Sequence, residues 1–421
     1  MRSAPRRGHD GPDTCGTGGA NRGRDMAGFE SAADAGAVRE LAARWLPRLG
    51  DGDFVVSPVG LWTALGAVAS GARGRTAEEL AGLLGVEGEA AARAVTEARR
   101  WLGGTDGVAV ATGVWSAVPV LDSFRRGLPG VGFGTLPGAG YFALPDAVFG
   151  ATDDMSFGDI PDAQEEIDAW VRAATGGRIP RLPLALEGSE DLVLVNALAL
   201  KASWLTAFPG HLTRDEPFTD GNGDTRPVPT MRQRIPAGWV WRVGGGTVVV
   251  ELPCAGAGNG SGGDAPGSRS ARVRFVLGAE GDGPGAVLPA AWAGAAERVP
   301  LAADSVDLAL PRFTLRTKTL VHRQLDALGV RLALGAEADF SGISAADLCI
   351  DKVVQEAVVE IAEEGVEAAA VTQVTMTRSA AAPRPAVVER IAFDRPFGVV
   401  VLDASGEVPL FLGWRRSAPE R

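Results

Sequence analysis

The side chains able to do acid–base, nucleophilic or metal chemistry are few in this chain, and they do not assemble. Histidine occurs only as His9, His211 and His322. No two of them have the helical HExxH spacing of a metal site, and no serine sits in a GxSxG elbow. Neither metal-assisted hydrolysis nor acyl transfer therefore has its parts. His322 falls on an expected helix with nothing to complete a triad, and reads as a surface or satisfied residue. Cys15, Cys254 and Cys349 are too widely spaced for a disulfide framework or a zinc site, and read as buried or idle thiols. Gly258-Asn-Gly260-Ser-Gly-Gly263 matches a dinucleotide fingerprint formally. No helix opens after it, and any window of a glycine-rich loop matches by chance. Glu363-Glu364 could form an acid–base pair, though adjacent charges on a solvated stretch are the commoner explanation. The chain is expected to be no enzyme, with no metal and no cofactor.

One segment has a different kind of order. Residues 363–379 read EEGVEAAAVTQVTMTRS. Every second position gives Val366, Ala368, Ala370, Thr372, Val374 and Met376, apolar apart from one short, β-favouring Thr. The alternate positions give Glu367, Ala369, Val371, Gln373, Thr375 and Thr377, which hold the charge and the amide. Period two with one face fit for burial is the pattern of a strand. Small residues at 368–370 would let such a strand enter a tight gap. The same letters can also start a helix, with Gly365 costing about 1 kcal/mol inside it, and periodicity alone splits the two nearly evenly.

The elements around this segment are those of a mixed α/β chain. Val38, Leu41, Ala42, Trp45 and Leu46 have helical spacing. Ser57-Pro58 is a good helix entry, and residues 59–69 are apolar almost all round, so that helix is expected to be buried. Thr76-Ala-Glu-Glu79 suggests a cap and first turn. Residues 87–102 and 163–175 are amphipathic, the latter stopped by Gly176-Gly177. VAVATGVWSA (108–117) is strand-like, and DLVLVNALAL (191–200) suits a strand buried on both faces. RVGGGTVVVELP and ARVRFVLGA read as paired strands around the low-complexity loop 255–270. VDLALPRFTL reads as one strand, and KTLVHRQLDALGV as a helix ended by Gly329. The C-terminal third is mostly strand: CIDKVVQEAVVEIA, then ERIAF, GVVVLD and PLFLGW.

Composition bounds the partners. Lys and Arg total 41 against 52 Asp and Glu, a net charge of −11. Five Arg and three Asp lie in the first 25 residues, so the body is more acidic still. A net acidic body without a basic stripe argues against nucleic acid. Arg93, Arg99 and Arg100 could form a polyanion site on their helix, but spaced Arg is more often a solvated face. No apolar run of about 18 residues exists, so no membrane span is expected. The basic start is followed by no apolar h-region, so residues 1–27 read as a disordered tail, with Met26 as a candidate start and cytoplasmic residence as the default. Lys occurs only at 201, 318 and 352. With the abundant Ala and Gly, that points to a GC-rich, bacterial source.

EEGVEAAAVT resembles the hinge of the serpin family of serine protease inhibitors. Further matches follow in family order across residues 35–415: FVVSPVGLWTAL, GARGRTAEEL, IDAWVRAATGGRI, NALALKASWLTAF, TRPVPTMRQ, VVVELP, LALPRFTL, LDALGV, ADFSGIS, FDRPFGVVV and FLGW. The resemblance implies an α+β fold of three β-sheets and about eight or nine helices, as one domain over residues 28–421 with an exposed reactive loop within 363–392. It implies a suicide inhibitor whose partner is a target serine protease, attacked at the loop and trapped as an acyl-enzyme when the loop inserts into the large sheet. The protein itself is expected to be a monomer. An extracellular location is open on the same grounds.

Site residues follow residue by residue. The hinge is Glu363, Gly365, Val366, Glu367, Ala368, Ala369, Ala370 and Thr372. The attacked bond follows Ser379, with Ala380 after it; Arg378-Ser379, one place earlier, suits trypsin-like enzymes. The stretch onward to Phe393 is about six residues longer than usual for the family. A hydrogen-bonded cluster of Ser, Ser, Asn and His under the family's large sheet corresponds here to Ser57, Gly60, Asn196 and Gln355, so a hydroxyl and an imidazole are missing; Gln can still donate and accept. NALALKASWLTAF is similar to the family strand that carries an Asn, a Lys and a Trp at these spacings, here Asn196, Lys201 and Trp204. The competing class is a non-inhibitory serpin acting as a binding or chaperone-like protein. Such members often carry bulky or charged hinge residues, which Val366, Ala368, Ala370 and Thr372 are not.

Overall fold

Ser57 caps helix α2 (Pro58–Ala69) by accepting a hydrogen bond from Gly60 N, and proline occupies the first helical turn, where its missing N–H costs nothing. All twelve residues of α2 are buried, as their apolar run requires. The computed structural model describes residues 32–137, 160–182, 184–255, 270–364 and 386–420. The expected tail 1–27, nearly all of the 255–270 insertion, the hinge from Gly365 to Thr372 and the bond at Arg378, Ser379 and Ala380 lie outside the described residues.

Among the described residues there are eight α-helices and sixteen strands in three sheets. Around α2 pack α1 (Ala32–Trp45), α3 (Gly74–Leu84) and α4 (Gly88–Gly103). The short helices are α5 (Asp122–Gly127), α7 (Pro284–Val287) and α8 (His322–Leu325). A seven-stranded sheet has the order β1 (Phe54–Val56), β16 (Pro409–Arg415), β15 (Phe397–Leu402), β9 (Arg272–Leu277), β8 (Thr247–Pro253), β7 (Val240–Val243), β10 (Arg298–Pro300). A four-stranded sheet runs β14 (Val388–Ala392), β11 (Ser305–Pro311), β6 (Thr225–Pro236), β5 (Arg214–Thr219).

The third sheet positions the site. Its order is β12 (Phe313–Leu320), β13 (Ile350–Ile361), β4 (Leu192–Lys201), β2 (Val108–Ser116), β3 (Gly132–Thr135). β13 and β4 run parallel, from Ile350 opposite Leu192 to Glu360 opposite Lys201, while their outer neighbours β12 and β2 are antiparallel to them. β4 is covered on both faces. Leu194 and Leu198 join the core with α2, and Val193, Val195, Ala197 and Ala199 pack with Ile167 and Val171 of helix α6 (Ile160–Ala174). α6 stops at Gly176 and Gly177, both at positive φ.

Three expectations need correction. Thr76 and Glu79 do not cap α3, which begins at Gly74 after an Arg73 that makes no side-chain cap. They reach across instead: Thr76 Oγ1 accepts from Asp339 N, and Glu79 accepts from Leu332 N and Ala333 N. The stretch 305–320 is two strands in different sheets, β11 and β12, parting at Arg312. The helix expected from Lys318 begins only at His322, because residues up to Leu320 extend β12; Gly329 does end the turn, at φ 94°.

Candidate functional site: the seam between β4 and β13

Two contact groups hold β13 against β4. The lower one is a row across the sheet, with Thr112 opposite Asn196 and Asn196 opposite Gln355. Ser57, Thr112, Asn196 and Gln355 are all buried. Gln355 Oε1 accepts from Ser57 N at 2.7 Å. Gln355 Nε2 donates to Ser57 O at 2.9 Å and to Asn196 Oδ1 at 3.1 Å. Asn196 Nδ2 continues the chain to Thr112 Oγ1 at 3.2 Å. Ser57 Oγ donates to Leu410 O at 2.6 Å, which ties the row to β16. Burial without such partners would be costly, so the set is mutually required.

Gly60 takes no hydrogen bond through a side chain, and it leaves room for none. A Cβ there would stand 2.1 Å from Asn196 Oδ1 and 2.5 Å from Leu198 Cδ1. Thr112 was missed in the sequence because VAVATGVWSA gives no sign of which residue will face a partner.

The upper group closes the seam where β13 ends. Trp204, buried, donates Nε1 to Ala362 O at 2.7 Å, and its backbone N–H donates to Glu364 O at 3.1 Å. Phe208 N donates to Glu363 O at 3.0 Å. Thr213 Oγ1 donates to Glu363 Oε1 at 2.9 Å, and Arg312 lies 3.7 Å from that carboxylate. Lys201 at the end of β4 pairs with Glu364 at 3.1 Å. Glu363 is thus half-buried and pinned rather than freely solvated, and the two carboxylates have structural partners. Past residue 385, Val387 N donates to Asp304 Oδ2 at 2.7 Å and Val387 O accepts from Asp304 N at 2.8 Å. The described residues on either side of 365–385 are thus each hydrogen-bonded into the fold.

The remaining chemistry-bearing residues have ordinary partners. His322 Nδ1 accepts from Val353 N at 3.4 Å, and burial lowers its pKa, so the imidazole has a structural partner. Cys254 is buried, and burial pushes its thiol up to about 12. Cys349 lies 3.6 Å from Asp191, and with Asp351 these place three ligand-type atoms within 4.8 Å of one another. Burial and the two carboxylates push the Cys349 thiol up to about 11. Asp351 Oδ2 already accepts from Asp191 N and Leu192 N. This triad fastens the start of β13 to the start of β4, and it was not visible in the spacing of the cysteines.

The serpin (serine protease inhibitor) family model matches residues 141–417. The leukocyte elastase inhibitor of Bos taurus is 32% identical, over 61% of this chain and 67% of that protein. Iripin-8 of Ixodes ricinus is 29% identical over 60% of this chain and 61% of its own length. Serpin-Z2A of Oryza sativa subsp. japonica is 27% identical over 91% of this chain and 97% of that protein. Among solved structures, native protease nexin-1 with heparin superposes with a TM-score of 0.70 at 21% identity, covering 91% of this chain and 98% of that one. That last likeness speaks for the fold alone.

Proposed function

The chain belongs to the serpin family, and on that premise we propose that it is a suicide-substrate inhibitor of a serine protease. The observation that carries this reading is the parallel β4–β13 pair with the hinge leaving its end. A strand turning back after Ala362 runs antiparallel to β13, and therefore also to β4. Its entry would replace one parallel pairing by two antiparallel ones, which are slightly more stable per residue. The target supplies the catalytic groups. It attacks the loop and forms its acyl-enzyme with the C-terminal side of the cut bond released. The freed strand enters the seam and drags the ester-bound protease with it before water can deacylate it. The row of Ser57, Gln355, Asn196 and Thr112 and the Trp204 group delay opening until that moment.

The roles of Ser57, Asn196, Trp204 and Gln355 as closures, of Glu363 to Thr372 as the hinge, and of Arg378, Ser379 and Ala380 as the attacked bond belong to this proposal. So do a monomeric inhibitor, a single domain over 28–421 and a covalent complex. No helix among the described residues is long and apolar enough to cross a membrane. The mechanism works equally in the cytoplasm or outside the cell, and cell fractionation distinguishes the two. A bacterial source rests on the Arg-for-Lys composition, since the relatives named above are from cattle, a tick and rice.

Incubation with trypsin, elastase and subtilisin, followed by denaturing gels, tests the reading. A band at the summed mass of inhibitor and protease is expected with at least one of them. Mass spectrometry of the released peptide should place the cut at Arg378-Ser379 or Ser379-Ala380. Clean cleavage by all three with full retention of protease activity means that the chain does not inhibit, and the binding or chaperone-like reading takes its place.

A further inference from the structure

The three sheets meet at a cavity of about 740 Å³ beside the upper closure. The start of β12 and the end of β13 form one wall, and β6 and β16 each contribute an arginine. Four guanidinium-bearing side chains line it in all: Arg226, Arg312, Arg316 and Arg415. The carboxylates in the lining are Asp53, Glu360 and Glu420.

Most of these charges have partners. Arg312 lies 3.7 Å from Glu363, and Arg316 Nη1 donates to the buried Glu356 Oε1 at 2.7 Å. Glu360 lies 3.9 Å from Lys201. Asp53 Oδ1 accepts from Arg416 N and Ser417 N, and its Oδ2 lies 3.0 Å from Arg415 Nη1. Arg226 and the rest of Arg415 are left with one uncharged acceptor between them. Arg226 Nη2 donates to Ala418 O at 2.6 Å, and Arg415 Nη2 donates to the same oxygen at 3.1 Å. Two cations converging on one carbonyl repel each other, and a neutral oxygen does not cancel that repulsion. Arg415 is only 8% exposed, and its Nε is buried with no hydrogen-bond partner among the described residues. A buried donor left unpaired bears its desolvation cost. Burial lowers the Arg415 pKa, opposed by Asp53 and Glu420 and reinforced by Arg226. Glu420 is exposed, so water screens its help.

We propose that this cavity binds a small oxyanion, the phosphate or carboxylate group of a small molecule, between Arg226 and Arg415. A guanidinium presents its N–H groups as a planar fork that matches such an anion with two parallel hydrogen bonds. The anion pairs the two cations that otherwise share Ala418 O, and it lies along the wall that carries Arg312 and Arg316. The buried Arg415 gives that pairing a lower dielectric than a surface site has. A long polyanion needs a strip of exposed cations, which a buried Arg415 does not offer. Because the ligand touches residues of all three sheets, its binding stabilises the uncut protein. None of this depends on the inhibitor reading.

The test is thermal unfolding of the uncut protein in sodium phosphate and in sodium succinate, each against sodium chloride at equal ionic strength. At about 20 mM, an anion that fits should raise the parent's midpoint by at least about 2 °C, and the rise should saturate as binding at one site does. Stabilisation by solute exclusion grows with concentration instead. Arg226→Gln, at an exposed position, removes one fork and should lose the saturable rise. Arg415→Lys keeps the charge without the fork and should shift saturation to higher anion concentration. Arg93→Gln, on α4, should keep the full response. A saturable rise with phosphate alone assigns a phosphate-bearing ligand, with succinate alone a carboxylate-bearing one, and with both the chemistry they share. No saturable rise with either anion, a rise that Arg226→Gln retains, or one that Arg93→Gln abolishes overturns the proposal.

Discussion

At the scale of residues, the closed seam depends on a few polar atoms that must all be paired at once. Gln355 serves three of them, since its amide both donates and accepts. Gly60 shows how tightly the row is fitted, because its absent side chain is the space Asn196 fills. Gly60→Ser would supply the second hydroxyl that the family resemblance implies, yet it should destabilise this protein. The new Cβ forces Asn196 aside, an overpacking cost of about 1–3 kcal/mol. The native melting midpoint should fall by about 2–6 °C, and a rise in midpoint would show that the row can re-form around the hydroxyl. Ser57, Asn196 and Gln355 were named from the family resemblance, by their place in motifs that follow in family order. Thr112 and Glu356 were not. Whether a lone polar residue in an apolar run meets a partner or an empty wall is settled by the neighbouring strands, which its own segment does not specify.

At the scale of elements, most of the fold was legible, because period and length agree for α2, β4, β13 and the C-terminal strands. The failures have a common cause. Pro311 and Arg312 look like interior letters of one strand, but the chain changes sheets there, and local β-propensity is blind to which sheet a strand joins. Thr76 and Glu79 have cap-like spacing, yet their side chains satisfy the 332–339 segment, a tertiary use of a local signature. The same reasoning sharpens the expectation for Ala370. If the hinge enters between β4 and β13 with its apolar set inward, Ala370→Arg buries an unpaired guanidinium at a cost of about 3–5 kcal/mol. The variant should be cut as a substrate, with far more inhibitor consumed per enzyme trapped. An unchanged ratio would mean that position 370 does not enter facing the core.

At the scale of the whole molecule, loop insertion as proposed requires the remainder to stay folded while the sheet parts. The four-stranded sheet supplies one fixed point. Glu216 on β5 accepts from Arg232 through both oxygens and from Arg214. The Arg232 hydrogen bond, against the opposing effect of burial and with help from Arg214, holds its pKa at about 2 against an ordinary 4.5. A depressed carboxylate contributes stability above its unfolded value and loses it as pH falls from about 4.5 towards 2. Glu216→Gln should therefore be less stable at pH 7 and show a shallower acid limb, the two proteins converging near pH 2. Parallel curves over that range would remove Glu216 from the account.

On the proposed mechanism, the closed β4–β13 pair is a waiting site for the chain's own strand. Glu363, Glu364 and Val387, on either side of the segment, are hydrogen-bonded into the fold; on the proposed mechanism, residues 366–377 enter fully only once one end is freed. Cutting frees one end. Inserted, Val366, Val374 and Met376 would each gain about 1.5–3 kcal/mol on full burial, and the backbone would pair on both sides. The direct measurement is thermal unfolding of the intact protein beside the same protein cut within residues 378–380. The cut form should melt well above the intact one, the reverse of what nicking does to an ordinary fold. A midpoint equal to or below that of the intact protein would contradict it, because the freed strand would then not be entering the sheet.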